Sequence, residues 1–194
     1  MKAPLVVVLA VSLAVATYGS IEADEARDRW QDRIPSEAYK LNEEGALLAR
    51  QGQYDASIAK FEQALKIKPD YIAALFNVGL ARDFREGKGD QQAAEAAFRK
   101  AIEVGEAQSV RDLVPLYNTL GWFLHLRGRL EEAKDWYKKA LKIDPKSPRV
   151  LNNLGAVHEW SGDREAARGL YKEAVDAGSE KARDNLKRLQ RVAP

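Results

Sequence analysis

Four short fragments of this sequence repeat one another around a glycine. Asn77-Val78-Gly79, Thr119-Leu120-Gly121 and Asn153-Leu154-Gly155 are close copies, and Glu43-Glu44-Gly45 is a more polar version of them. The four glycines are spaced by 34, 42 and 34 residues. Self-similarity at a period of about 20 to 50 residues indicates a repeat architecture, in which each repeat is one supersecondary unit.

Each fragment is followed by a second glycine and then by an alanine-rich apolar stretch. The second glycines are Gly52, Gly89, Gly128 and Gly162, and the apolar stretches are 58–65, 94–102, 133–141 and 167–175. Apolar residues recur at helical spacing, as at Leu116, Leu120 and Leu124. The glycines and alanines allow two helices to approach closely, where a bulky residue would overpack. Each repeat is therefore predicted to be a helix–turn–helix hairpin, and the hairpins must stack because one alone cannot bury its apolar stripe.

The repeated unit resembles the tetratricopeptide repeat, with Leu-Gly in the first helix, then Ala-x3-aromatic, Ala and a closing Pro. The third unit has the whole pattern, in Leu120-Gly121, Ala133, Tyr137, Ala140 and Pro145. The resemblance covers about residues 38–181. It implies an all-α fold, an α-solenoid in which about four hairpins and a C-terminal capping helix form a right-handed superhelix.

The repeat units implied by this resemblance, within a repeat region of 36–181, are 38–71, 72–113, 114–147 and 148–181, and the capping helix and tail occupy 182–194. The second unit is eight residues longer than the others, with an extended turn at residues 85–90. The second and fourth units end in Gly105 and Gly178 rather than in proline, and their closing stretches resemble Sel1-like repeats.

The first twenty residues differ from the rest. Lys2 precedes an apolar run from Ala3 to Ala16 that only Ser12 interrupts, and Ala14-Val15-Ala16 places small residues at both positions read by a signal peptidase. Residues 1–16 are predicted to be a signal peptide. The alternative is an uncleaved membrane anchor that extends to about residue 20. Either interpretation predicts a body outside the cytoplasm, in the bacterial periplasm or secreted, or anchored in the inner membrane and facing out. Residues 17–35 are a charged leader, either a linker or a short capping helix.

Composition argues against most kinds of chemistry. The chain has 194 residues and no cysteine, which excludes disulfides, a thiol nucleophile and a Cys-ligated metal. Lys plus Arg exceed Asp plus Glu by only two, and no basic block is present, so no nucleic-acid partner is expected. His125 and His158 have no second ligand at metal spacing. No set of nucleophile, base and orienting residue can be assembled, and we expect neither an enzyme nor a cofactor.

The resemblance implies a concave groove, lined by the first helix of each hairpin, that binds a peptide or helix of another protein. Three kinds of candidate line it: asparagines that can pair with a peptide backbone, large apolar anchors, and the cationic or switchable pair Arg149 and His125. The asparagines are Asn42, Asn77, Asn118 and Asn152, and the anchors are Phe76, Leu80, Phe84, Trp122 and Trp160. The alternative for Phe76, Phe84 and part of the tryptophan surface is packing against neighbouring helices. Of the positions that form a carboxylate clamp in some relatives, only Asn77 fits, which argues against a C-terminal carboxylate ligand.

These features predict a non-enzymatic tetratricopeptide-type protein in the cell envelope, an adaptor or assembly factor that binds a segment of a partner protein. The alternative is a structural scaffold that self-associates into a homo-oligomer through its terminal repeats. An RNA-binding helical repeat is disfavoured by the near-neutral charge and the export signal.

Overall fold

A computed structural model of the chain describes residues 34–191. These residues form nine α-helices and no strand. The helices are α1 (Ser36–Arg50), α2 (Tyr54–Ile67), α3 (Ile72–Arg85), α4 (Asp90–Ala107), α5 (Val114–His125), α6 (Leu130–Ile143), α7 (Pro148–Trp160), α8 (Arg164–Asp176) and α9 (Glu180–Arg191). The prediction of an all-α fold is confirmed. The predicted signal peptide or anchor and most of the leader lie outside the described residues.

The chain divides after Val110 into two compact units. Unit 1 contains the hairpins α1–α2 and α3–α4, and unit 2 contains the hairpins α5–α6 and α7–α8, followed by α9. Within residues 34–191, no helix combines the length and apolar character needed to span a bilayer.

The repeated glycine has the same role in all four hairpins. A Cβ atom built on Gly79 would lie 2.6 Å from Cε1 of Phe98, and one on Gly121 would lie 2.8 Å from Cε1 of Tyr137. Gly45 and Gly155 face Phe61 and Tyr171 at 2.7 and 2.8 Å in the same way. Each first helix thus packs its glycine against an aromatic ring of the second helix, which explains why the glycine and the aromatic residue recur together.

The turn glycines are required for a different reason. Gly52, Gly89, Gly128 and Gly162 have φ between 75° and 83°, a left-handed conformation that glycine adopts without steric cost. Each of them therefore reverses the chain between the two helices of a hairpin.

The extended turn of the second hairpin is held by a buried carboxylate. Asp90 accepts hydrogen bonds from Arg85 Nε (2.8 Å), Arg85 Nη2 (2.6 Å) and the backbone N–H of Gly87 (2.7 Å). The Arg85 guanidinium is the main cause that lowers the pKa of Asp90. These contacts fix the four-residue connection 86–89, which lies within the extended turn predicted at residues 85–90.

The core of each unit lies between its stacked hairpins. In unit 1, Ile58 and Phe61 of α2 share a cluster with Val78 and Ala81 of α3. In unit 2, Tyr171 of α8 shares a cluster with Leu189 of α9, against which Leu186 also packs. The apolar side of α9 therefore covers the last hairpin.

Candidate protein-binding surface

In unit 1, two of the predicted asparagines bind each other. Asn77 Nδ2 on α3 donates to Asn42 Oδ1 on α1 at 3.0 Å, and both side chains are buried. The two residues occupy nearly equivalent positions in consecutive first helices, three and two residues before the glycine. Their hydrogen bond therefore links one hairpin to the next.

Unit 2 has the same arrangement twice. Asn153 Nδ2 on α7 donates to Asn118 Oδ1 on α5 at 3.0 Å, and Asn185 Nδ2 on α9 donates to Asn152 Oδ1 on α7 at 2.9 Å. Asn118, Asn152 and Asn153 are buried. Adjacent helical residues lie 100° apart, so Asn152 and Asn153 face the two neighbouring first helices.

The prediction that these asparagines contact a partner therefore requires correction. The structure places Asn42, Asn77, Asn118 and Asn152 between helices of the protein itself, where buried amides must be paired. The sequence indicated the correct helices, but it did not show that the same offsets meet a neighbouring first helix.

Three of the predicted apolar anchors also pack within unit 1. Phe76 is buried, with its ring 5.7 Å from that of Phe98, and Leu80 is buried as well. Phe84 is half-buried and stacks on Tyr54 of α2 at 6.2 Å. These positions fit the packing alternative rather than an open binding surface.

The anchors in unit 2 are exposed. Trp160, the last residue of α7, is 74% exposed, and Trp122 of α5 is 38% exposed. His125 lies between the two indoles, with ring centroids 5.4 Å from Trp122 and 5.6 Å from Trp160, and it contacts both edge-on. Leu126, which follows α5 directly, is also exposed. Among the predicted residues, the structure thus brings Trp122, His125 and Trp160 together.

His125, predicted as a switchable contact of the groove, is buried. It is 5% exposed, and its Nδ1 has no hydrogen-bond partner within the described residues. Burial disfavours the charged imidazolium and lowers the pKa of His125 below its usual value. The neutral ring therefore supports the two tryptophans at neutral pH and contributes no positive charge.

The exposed tryptophans belong to a face formed by the first helices of unit 2 and α9. The asparagine pairs show that α7 lies between α5 and α9. Nevertheless, Lys181 Nζ of α9 lies 5.7 Å from the centre of the Trp122 ring on α5. Side chains of the two outer helices therefore meet over the middle helix. We call this surface, defined by Trp122, Leu126, Arg149, Trp160 and Lys181, the aromatic face.

Arg149 belongs to the aromatic face by helical geometry. On α7, residues 149, 156 and 160 lie within about 40° of one another, and this stripe runs between the directions of Asn152 and Asn153. Because those two asparagines contact the helices on either side, the stripe between them is open. Arg149 is exposed.

The acidic residue of α7 nearest Trp160 is already paired. Glu159 accepts hydrogen bonds from Arg188 of α9 at 2.5 and 2.8 Å and from the Tyr171 hydroxyl at 2.8 Å. The Arg188 guanidinium is the main cause that lowers the pKa of Glu159. Its negative charge is therefore compensated within unit 2.

Sequence reasoning missed Leu126 and Lys181. Leu126 stands five residues after Gly121, as Phe84 does after Gly79 and Trp160 after Gly155, so the repeat offset could have identified it. Lys181 lies on α9, which begins at Glu180, as the helical pattern of residues 180–191 predicts. That pattern indicates only that the apolar side of the capping helix covers the fourth hairpin, and it does not show that Lys181 reaches the face.

Within residues 34–191, no group of three or more His, Asp or Glu side chains could hold a metal ion. In this part of the chain, the exposed tryptophans and neighbouring cations offer contacts for a partner. They do not form an acid–base or nucleophilic constellation.

The repeated Gly–aromatic hairpins and the asparagine pairs define an all-α protein of the solenoid class. A solved structure, "Crystal structure of MamA", has the same fold, with a TM-score of 0.65 and 21% sequence identity over 80% of this chain and 86% of that chain. The family profile described as "TPR repeat" matches residues 45–82 and 124–160, and the profile described as "Tetratricopeptide repeat" matches residues 149–180. Residues 45–82 and 124–180 of this chain are therefore tetratricopeptide repeats, which are protein–protein interaction modules.

Curated relatives of this chain cover most of its repeat region. Photosystem I assembly protein Ycf3 of Rippkaea orientalis is 29% identical over 132 residues, which are 67% of this chain and 75% of that protein. Uncharacterized protein ycf37 of Pyropia yezoensis is 29% identical over 64% of this chain and 68% of that protein. Human Cell division cycle protein 16 homolog is 29% identical over 59% of this chain, but only over 19% of its own length.

Proposed function

We propose that the protein is an exported adaptor or assembly factor of the cell envelope, which binds a segment of another protein on its aromatic face. The observation that carries this proposal is the exposure of two tryptophans beside each other on a rigid helical surface. Exposed aromatic residues of this kind supply much of the energy of protein interfaces. The buried His125 between them keeps both indoles in place before a partner arrives, which reduces the entropic cost of binding.

The relatives support a role in assembly. One of them is named a photosystem I assembly protein, and it is similar to this chain over three-quarters of its own length. Repeat proteins change their ligands by surface substitution on a constant frame. The similarity therefore favours an adaptor that holds another protein, and it leaves the partner to be identified through the aromatic face.

Substitution of the exposed tryptophans tests the binding surface. Trp160→Ala should weaken capture of the partner about tenfold or more, since the loss of an interface hot spot costs about 2 kcal/mol. Ile143→Ala is the matched control, because Ile143 is also exposed but lies on α6, a second helix of a hairpin. Both variants should keep the circular dichroism spectrum of the parent. Equal partner capture by the parent protein and by Trp160→Ala would count against the aromatic face as the binding surface.

Export is tested separately by fractionation and N-terminal sequencing. If residues 1–16 are a cleaved signal, the mature protein begins at Thr17 and is released with the periplasmic or secreted fraction. An uncleaved chain in the outward-facing membrane fraction would favour the anchor. A full-length chain in the cytosol would contradict both.

The second candidate function, a self-associating scaffold, is favoured by a different surface. Tyr39 and Leu47 of α1 lie two helical turns apart, on the same side of the helix, and both are about half exposed. A second copy of the protein could cover this stripe. Analytical ultracentrifugation across micromolar protein concentrations tests this candidate, and a strictly monomeric mass would exclude self-association.

A further inference from the structure

Two cations on the aromatic face have no ion-pair partner within residues 34–191. Lys181 Nζ lies 5.7 Å from the centre of the Trp122 ring, and neither Lys181 nor Arg149 forms a salt bridge with another described side chain. Arg188, in contrast, is paired with Glu159. The charge that the face leaves uncompensated is therefore positive.

Arg149 and Lys181 lie at the same end of the face. Each is the second residue of its helix, in α7 (Pro148–Trp160) and in α9 (Glu180–Arg191). The Asn152–Asn185 hydrogen bond joins these two helices about one turn further on. The positive ends of both helix dipoles add to the charge of the two side chains.

Acidic residues near this end offset the charge only in part. Glu180, at the start of α9, is paired with Arg183. Asp112 accepts a hydrogen bond from the backbone N–H of Val114 at the start of α5. Asp184 stands one turn after Lys181 on α9 but forms no salt bridge with it.

Apolar contacts dominate the other end of the face. Trp160 stands 11 residues after Arg149, a distance of about 16 Å along the helix. An extended peptide covers that distance in about five residues. The face therefore offers a cationic end and an aromatic end within reach of one short segment.

We infer that the partner segment is acidic: it places a carboxylate between Arg149 and Lys181 and an apolar side chain against Trp160 and Trp122, about five residues away if it is extended. This inference rests on the proposed function, because it specifies the chemistry of the segment that the aromatic face binds. The carboxylate draws Lys181 from the Trp122 ring and thereby uncovers more of that indole for the apolar residue. An exposed cation–π contact is weak, so an ion pair can replace it at little cost.

Site-specific photocrosslinking tests the inference in the full-length protein, in cells that produce it. A benzoylphenylalanine at position 160 should capture peptides that carry Asp or Glu about five residues from the crosslinked position. The same group at position 172, an exposed lysine on α8, is the control. Capture of neutral or basic segments at position 160 would overturn the inference while leaving the proposed function in place. If position 160 captured no more than position 172, the proposed function itself would fail.

Charge reversal then tests the two cations with a synthetic peptide of the captured sequence. Arg149→Glu combined with Lys181→Glu should weaken binding about tenfold or more, since each exposed ion pair becomes a repulsion. Raising the salt concentration should weaken binding to the parent protein, because exposed charges are screened. Lys138→Glu combined with Lys172→Glu, on α6 and α8, is the matched control. If the first pair impairs folding, Arg149→Gln with Lys181→Gln replaces it. Binding that neither pair at positions 149 and 181 alters would refute the role of the cations.

Discussion

Replacement of Gly121 by alanine tests the glycine–aromatic contact that recurs in every hairpin. A Cβ atom at this position would lie 2.8 Å from Cε1 and 3.0 Å from Cδ1 of Tyr137, closer than unstrained carbon atoms approach each other. Tyr137 is fully buried, so its ring cannot withdraw without displacing its neighbours. Gly169, on α8, is the matched control, because no atom lies within 4 Å of a Cβ built there.

The two substitutions share one energetic effect and differ in another. Alanine is favoured over glycine inside a helix by about 0.8–1 kcal/mol, and this gain applies at both sites. At Gly121 it is opposed by overpacking, which costs about 1–3 kcal/mol. We therefore expect Gly169→Ala to raise the free energy of unfolding by about 1 kcal/mol and Gly121→Ala to lower it by up to about 2 kcal/mol.

Urea unfolding followed by tryptophan fluorescence is the suitable assay. Of the four tryptophans in the chain, Trp122, Trp136 and Trp160 lie in unit 2, as do both glycines. A double-mutant cycle isolates the contact: in the background of Tyr137→Leu, the penalty of Gly121→Ala should largely disappear. If Gly121→Ala and Gly169→Ala shifted the transition equally, the glycine would not be required by the aromatic ring.

Two further predictions concern the buried polar groups of unit 2. Asn153→Ala should lower the free energy of unfolding by about 1–3 kcal/mol, because it leaves the buried Asn118 amide without its partner. In urea unfolding, the double variant with Asn118→Ala should lose less free energy than the sum of the two single variants. For His125, the folded-state pKa lies below the unfolded value of about 6.5. The contribution of the neutral ring to the free energy of unfolding is therefore fully present above pH 6.5. It declines as the pH falls toward the folded-state pKa, by at most about 1.4 kcal/mol per pH unit. His125→Gln should flatten this dependence in urea titrations between pH 7.5 and 5. A parent protein equally stable across this range would contradict the burial of a neutral imidazole.

Much of the fold could be predicted because both residues of the main packing contact recur in every repeat. The glycine in the first helix and the aromatic residue in the second recur together because each pair occupies one contact, as Gly79 with Phe98 and Gly155 with Tyr171. A single copy of such a pattern would be weak support, but four copies in register are specific. The extended turn of the second hairpin was also readable from the spacing, although the buried Arg85–Asp90 pair that holds it was not.

The candidate surface was harder to predict because helical offsets identify a stripe and not its environment. Asn118 and Trp122 lie about one turn apart on α5, yet the amide is buried against α7 and the indole reaches the open face. The difference depends on the rotation between consecutive first helices, which no single repeat specifies. Lys181 was missed for a related reason, since its contact with Trp122 crosses the whole width of α7.

The positions of the paired asparagines relative to the repeated glycines follow a rule that is visible in the sequence. A pair forms where asparagine stands three residues before the glycine of one hairpin and two residues before the glycine of the next, as at 42 and 77 and at 118 and 153. Phe76 stands three residues before the glycine of the second hairpin, and it packs against Phe98 within its own hairpin. Asn42 and Asn77 belong to unit 1, and Asn118 and Asn153 belong to unit 2, so each of these hydrogen bonds joins two hairpins of the same compact unit. Because a buried amide without its partner is costly, each pair stabilises the register of the two hairpins that it joins.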